Sequence, residues 1–175
     1  GPAALEGLMR HAHLENTTLQ LRAQQLVESL PGTGAVAVLA AFLEDARPRT
    51  RRLAAYHLGL QDRPRDAAAI AGVRRLLEDD EAAGAAIRTL GKWRDRESLP
   101  RIASWLGDAR EPRRVAAANA LRELGDAAAV PALIRALGDP VFTVRMTAQR
   151  ALIALGRPAE QAAVRAWRTA DPAVR

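Results

Sequence analysis

Four leucines, Leu58, Leu90, Leu121 and Leu152, stand 32, 31 and 31 residues apart, and each has an alanine four residues before it: Ala54, Ala86, Ala117 and Ala148. A period near 31 residues constrains the fold more than any other feature, because one supersecondary unit is copied and each copy buries its apolar face against its neighbours. Three copies align without a gap over much more of their length. Val36, Leu99 and Val130 open an apolar stripe; Leu39, Ile102 and Leu133 continue it three residues later, and Leu43, Leu106 and Leu137 four after that. That i, i+3, i+7 spacing marks one face of a helix. Asp45, Asp108 and Asp139 follow, then Arg51, Arg114 and Arg145, then the Ala and Leu of a second helix. Each copy reads as helix A, a turn at the aspartate, and helix B.

Proline placement agrees with this reading. Pro48, Pro112 and Pro140 fall in or beside the A-to-B turn, and Pro64, Pro100, Pro131 and Pro158 at starts of helix A, where a missing N–H and a fixed φ cost little. Composition points the same way. The 39 Ala and 23 Leu among 175 residues, against six aromatics, suit closely packed helices rather than sheet interiors. The second copy departs from the others: Ile70, Val73, Leu77 and Asp79 lie two residues closer to Leu90 than their counterparts do to the other leucines, with Ala83 or Ala85 at the arginine position.

The predicted organisation is a single all-α domain over residues 3–175, a solenoid of about five stacked hairpins, with Gly1-Pro2 read as a remnant of tag cleavage. Its units span about 3–30, 33–60, 64–94, 97–125 and 128–156, with a partial unit at 158–175. Thr33 is expected to cap the helix after Pro31-Gly32, and Asp171-Pro172 repeats the Asp139-Pro140 turn. An uncapped end exposes apolar surface, so a continuing array or end-to-end self-association is expected there.

Gly138-Asp139-Pro140-Val141-Phe142-Thr143-Val144-Arg145, followed by Ala148-Gln149-Arg150-Ala151-Leu152, resembles the Asp-Pro…Val-Arg…Ala-x-x-Ala-Leu-Gly signature of HEAT repeats of the short bacterial, phycobilisome-lyase-like type. The stretch from Leu121 to Leu133 is similar to that family's inter-repeat connection. The resemblance implies curved stacks of hairpins that bind other macromolecules along a concave surface. It carries no particular activity: the family's iron-binding hydroxylase uses His-Glu dipeptides, and none occurs here.

Charge adds a second constraint. The net charge is +6, from 25 Arg and one Lys against 20 acids, and it is uneven: −3 before Ala46 and +9 from there on. An acidic partner, protein or nucleic acid, fits such an excess; so does an arginine bias with structural ion pairs. The recurring charges, Asp45, Asp108, Asp139 and Arg51, Arg114, Arg145, are read as a structural Asp–Arg ladder, with an arginine row for phosphate as the alternative if those side chains are unpaired.

Catalytic and metal chemistry have thin support. His11 and His13 point to different sides of a helix, Asp79-Asp80-Glu81 reads as an exposed turn, and no cysteine, phosphate loop or nucleophile elbow is present. No cofactor and no metal site are predicted, and the chain is read as non-enzymatic, cytoplasmic and not membrane-inserted. Positions −6, −5, −2 and +2 from each repeat leucine project away from helix A. They supply the predicted partner-binding residues Arg52, Tyr56, Arg88, Lys92, Asn119, Met146 and Arg150. Arg, Tyr and Met suit a contact surface, although small and apolar residues there also suit packing between neighbouring B helices. The favoured function is a scaffold that holds a protein partner on this face, and the alternative is sequence-independent nucleic-acid binding through residues 46–175. A remoter alternative, a DNA-glycosylase-like enzyme of this repeat class, needs aromatics and an acid in the concavity. Trp93 and Trp105 fall off those rows, and Glu123 is their one acid.

Overall fold

The computed structural model describes residues 1–11, 17–30, 32–62, 64 and 66–169, with residues 32, 33, 158, 163 and 166–169 described by backbone alone. His13, Asp171, Pro172 and the Trp167 side chain lie outside this description. The chain divides into two compact units, Gly1–Trp93 and Arg94–Arg175.

In the first unit, α1 (Pro2–Arg10) and α2 (Thr17–Ser29) form the partial N-terminal hairpin, burying Leu5, Met9, Ala23 and Val27. The first full repeat pairs α3 (Gly32–Ala41) with α4 (Pro48–Leu58), and the second pairs α5 (Ala67–Arg75) with α6 (Ala83–Lys92). Helix B packs on helix B, α4 against α6, and helix A on helix A, α3 against α5. Thr33 is already inside α3, so it does not stand at the cap position, and Pro64 precedes α5 by a few residues. Asp66 starts α5, its carboxylate accepting from the N–H groups of Ala68 and Ala69.

In the second unit the third repeat pairs α7 (Leu99–Ser104) with α8 (Glu111–Leu124), and the fourth pairs α9 (Val130–Ala136) with α10 (Phe142–Leu155). α8 packs on α10, and α11 (Arg157–Thr169) on α9 and α10. The repeat leucines Leu58, Leu90 and Leu121 and all four of their alanines are fully buried, which is what lets the helices approach. At about 25 cal/mol per Å² of apolar surface, burying each leucine stabilises the stack by about 2 kcal/mol.

Each of the first four A helices ends in, or is extended by, tight helical turn or bend geometry before its aspartate, as at Phe42–Glu44, Leu76–Glu78 and Trp105–Gly107. The last stripe position diverges between units there. Leu43 and Leu77 are buried, with Leu43 pressed so close to Gly72 that a Cβ on the glycine would lie 2.6 Å from its Cδ1. Leu106 is half-buried and Leu137 is 41% exposed, so the stripe is not buried along its whole length. Leu106 borders a surface cavity of about 350 Å³ lined by Ala103, Gly107, Ala132 and Ala136, where short side chains leave space. Trp93 is buried and donates its ring N–H to the Gln61 carbonyl. Trp105 is half-buried, with the Arg113 and Arg101 guanidinium groups 4.7 and 5.7 Å from its ring centre.

The helix B exits repeat as well. Arg94, Gly125 and Gly156 are 31 residues apart and all take positive φ, at 53°, 65° and 62°. Two are glycine, for which this conformation is unstrained; Arg94 carries a Cβ into it.

Candidate functional site: the Asp–Arg rows and the exposed B-helix face

The aspartate after helix A has two jobs. One oxygen accepts the N–H two residues on: Arg47 at Asp45, Glu81 at Asp79, Arg110 at Asp108 and Val141 at Asp139. This local bond fixes the chain reversal into helix B. The arginine near the start of helix B then reaches back and forward. Arg51 donates through Nη1 to the Asp45 and Ala46 carbonyls and through Nε to Asp79 Oδ2 at 2.7 Å. Arg114 donates to the Asp108 and Ala109 carbonyls and through Nε and Nη2 to the two oxygens of Asp139. Arg145 makes the backward half alone among the described residues, to the Asp139 and Pro140 carbonyls. Asp45 and Asp108 are held by neighbours instead, Asp45 by Arg47 and Asp108 by Arg110 and Arg113.

These contacts set the ionisation of the row. The Arg47 side-chain hydrogen bond takes Asp45 down to about 2, against a smaller opposing effect of burial. Arg114 likewise holds Asp139 below the ordinary carboxylate range. At Asp79 and Asp108 burial pushes upward, but backbone N–H donors and arginines outweigh it and both are lowered. Arg51 and Arg114, 20% and 10% exposed, are thereby committed to carboxylates and are poor candidates for gripping phosphate.

The B-helix face is different in kind. In the first unit, Tyr56, Arg88 and Lys92 come together around a cavity of about 110 Å³ between α4 and α6, completed by Gly59, Leu60, Ala85 and Thr89. Tyr56 is 41% exposed, and Arg88 and Lys92 are exposed. Among the described residues Arg88 has no carboxylate within ion-pair distance. Lys92 Nζ donates to the Gly59 carbonyl at 2.6 Å, which fixes the ammonium at one edge of the cavity. Arg52 sits one turn before Tyr56 on α4, half-buried and away from this cavity. In the second unit Asn119 and Met146 are half-buried and Arg150 is exposed.

Sequence reasoning missed the residues that build the cavity. Thr89 Oγ1 donates to the Ala55 carbonyl at 2.7 Å, and a Cβ on Gly59 would lie 2.5 Å from that oxygen, so α4 and α6 touch through a glycine and a threonine. The signal was present one residue before each repeat leucine. Ala120 and Ala151 hold that inward position in the later repeats, whereas His57 and Thr89 hold it in the earlier ones. His57 is also buried, 3% exposed, with no hydrogen-bond partner at Nδ1, and desolvation lowers its pKa to about 4 against a weaker opposing pull from Glu28.

Among the described residues no three His, Asp or Glu side chains are grouped to hold a metal ion, and no helix is long and apolar enough to cross a membrane.

Comparison with known proteins places this geometry. The family of HEAT repeats matches residues 70–153. No curated protein is recognisably similar in sequence. Among solved structures, the complex of CpcE and CpcF of phycocyanin lyase from Nostoc sp. PCC7120 superposes with a TM-score of 0.69 at 22% identity, over 90% of this chain and 65% of that one. The chain thus spans just under two thirds of that relative's length. A designed armadillo repeat protein in complex with the peptide (KR)4 gives 0.65 at 20% identity, over 88% and 82% of the two chains. An engineered protein gives 0.61 at 19%, over 87% and 79%. At these identities the likeness is one of fold.

Proposed function

We propose that this chain, a HEAT-like repeat protein, is a non-catalytic scaffold that binds a protein partner through the exposed face of its B helices. The observation that carries the reading is the cavity between α4 and α6: three residues predicted from register alone, Tyr56, Arg88 and Lys92, line one recess. A tyrosine and an arginine beside an apolar floor are the side chains that dominate binding energy at interfaces. Two fold relatives, CpcE with CpcF and the armadillo protein with its peptide, are complexes with protein or peptide partners, which supports a partner of that class here. Asn119, Met146 and Arg150 extend the same register into the second unit and are proposed as further contacts.

The test is a selection of binders from a random peptide library on the immobilised chain, followed by affinity measurement against a Tyr56→Ala/Arg88→Glu variant of unchanged helical content. Selected peptides should lose most of their affinity for the variant. Peptides that bind it as tightly as the parent would remove the B-helix face as the binding surface.

A further inference from the structure

Resting on that reading, we infer that the α4–α6 recess selects an acidic peptide segment, seating one aliphatic side chain between carboxylates held by Arg88 and Lys92. The size of the recess sets the first half. A cavity of about 150 Å³ accommodates a benzene ring, so one of about 110 Å³ admits a branched aliphatic side chain and little more. Its floor is formed by Ala85, Gly59 and Leu60, which offer no charge to an entering group.

The rim sets the second half. Lys92 is held in place by the Gly59 carbonyl, which occupies one of its three N–H donors and leaves two directed elsewhere. The Arg88 side chain runs back along α6, with Nη1 3.8 Å from where a Cβ on Gly84 would stand. Both Arg88 and Lys92 line the recess. No carboxylate lines it, in contrast to the Asp–Arg rows, where each guanidinium described is already occupied. A carboxylate arriving here meets donors that are partly ordered and unneutralised, the condition under which charge complementarity adds affinity as well as rate. Arg88 and Lys92, lining an apolar recess that holds no acid of its own, are complementary to a carboxylate that a partner supplies.

The probe is a labelled short peptide with a leucine between two pairs of aspartates, titrated into the full chain by fluorescence anisotropy. Three controls accompany it: the leucine replaced by glycine, the aspartates replaced by lysines, and a DNA duplex as competitor. The parent peptide should bind, weaken with rising salt, and lose at least about tenfold both with the glycine peptide and with Arg88→Glu. Lys92→Gln should weaken it as well, and circular dichroism of both variants reports folding. Equal binding of the glycine peptide would reduce the effect to bulk charge and overturn the inference, as would preference for the lysine peptide or displacement by the duplex alone. If library-selected peptides depend on Tyr56 and Arg88 yet carry no acid, the scaffold reading stands and this inference falls.

Discussion

Arg114 and Asp139 are joined by two roughly parallel hydrogen bonds, Nε to Oδ2 at 2.7 Å and Nη2 to Oδ1 at 3.1 Å, while Arg114 Nη1 holds the Asp108 carbonyl of its own repeat. One guanidinium thus ties two consecutive A-to-B turns. Their side chains are 10% and 7% exposed, whereas Arg75 and Glu44, also paired between repeats, are 61% and 72% exposed. Exposed pairs contribute about 0.2–1 kcal/mol. A double-mutant cycle at Arg114 and Asp139 should give the larger coupling energy of the two pairs, and Arg114→Lys should lower the urea midpoint because an ammonium cannot reproduce the fork. Equal couplings would deny the ladder a structural role.

Arg94 takes a positive φ of 53°, as Gly125 and Gly156 do one and two repeats later, with Gly125 in the left-handed region and Gly156 at a different ψ. A left-handed non-glycine residue costs roughly 1–2 kcal/mol, and glycine's added unfolded-state freedom returns about 0.4–1 kcal/mol of any gain. Arg94→Gly should therefore stabilise the chain by about 0.5–1 kcal/mol in denaturant unfolding. No change, or a loss, would show that the arginine makes a compensating contact.

The repeat was legible because burial obeys register: a residue at the leucine position must be apolar in every copy, so the pattern survives drift elsewhere. The ladder was legible only in part. Asp and Arg recur, but Arg51 pairs with Asp79, which the sequence read as an exposed turn, Arg114 with Asp139, and Asp45 and Asp108 with Arg47 and with Arg110 and Arg113, so spacing alone does not choose the partner. The exposure of Leu137, at the end of α9, was not legible because register fixes which face a residue takes but not how far neighbouring side chains cover it. The face residues Tyr56, Arg88 and Lys92 were found by projection, but the recess between them depends on a close approach at Gly59 and Thr89, two positions that repeat averaging discards. Departures from the repeat, His57, Thr89 and Arg94, were the informative residues.

Gly59→Ala tests that close approach. The added methyl would lie 2.5 Å from Thr89 Oγ1 and 3.2 Å from the Tyr56 carbonyl, and Thr89 cannot turn away without leaving the Ala55 carbonyl. The substitution should cost about 1–3 kcal/mol, the usual range for overpacking, with part recovered in Gly59→Ala/Thr89→Ala. A neutral single variant would mean that α4 and α6 separate freely.

Duplex DNA binding should be weak despite the net charge of +6. Arg47, Arg51, Arg110, Arg113 and Arg114 are engaged with carboxylates, and freeing them for phosphate would break the turns they hold. The slope of log K against log salt should correspond to few phosphate contacts, each worth about 0.9. A steep slope with tight binding at moderate salt would favour a nucleic-acid partner.

His57 should make the protein lose stability in mild acid. Its folded pKa is lowered from 6.5 to about 4 by burial, so the unfolded chain takes up a proton between those values while the folded chain does not. The His57 contribution is therefore constant above about pH 6.5 and declines as pH falls toward 4, by about 3 kcal/mol at roughly 1.4 kcal/mol per unit. The aspartates act in a second, lower window: their pKa values are lowered on folding, so their stabilisation is present above about pH 4 and is lost as pH falls toward the Asp45 value of about 2. Unfolding free energy measured from pH 7.5 to 3 should show both declines, and His57→Leu should flatten the upper one while leaving the lower. An upper decline that persists in His57→Leu, or an imidazole that titrates near 6.5 by NMR in the folded protein, would refute this assignment.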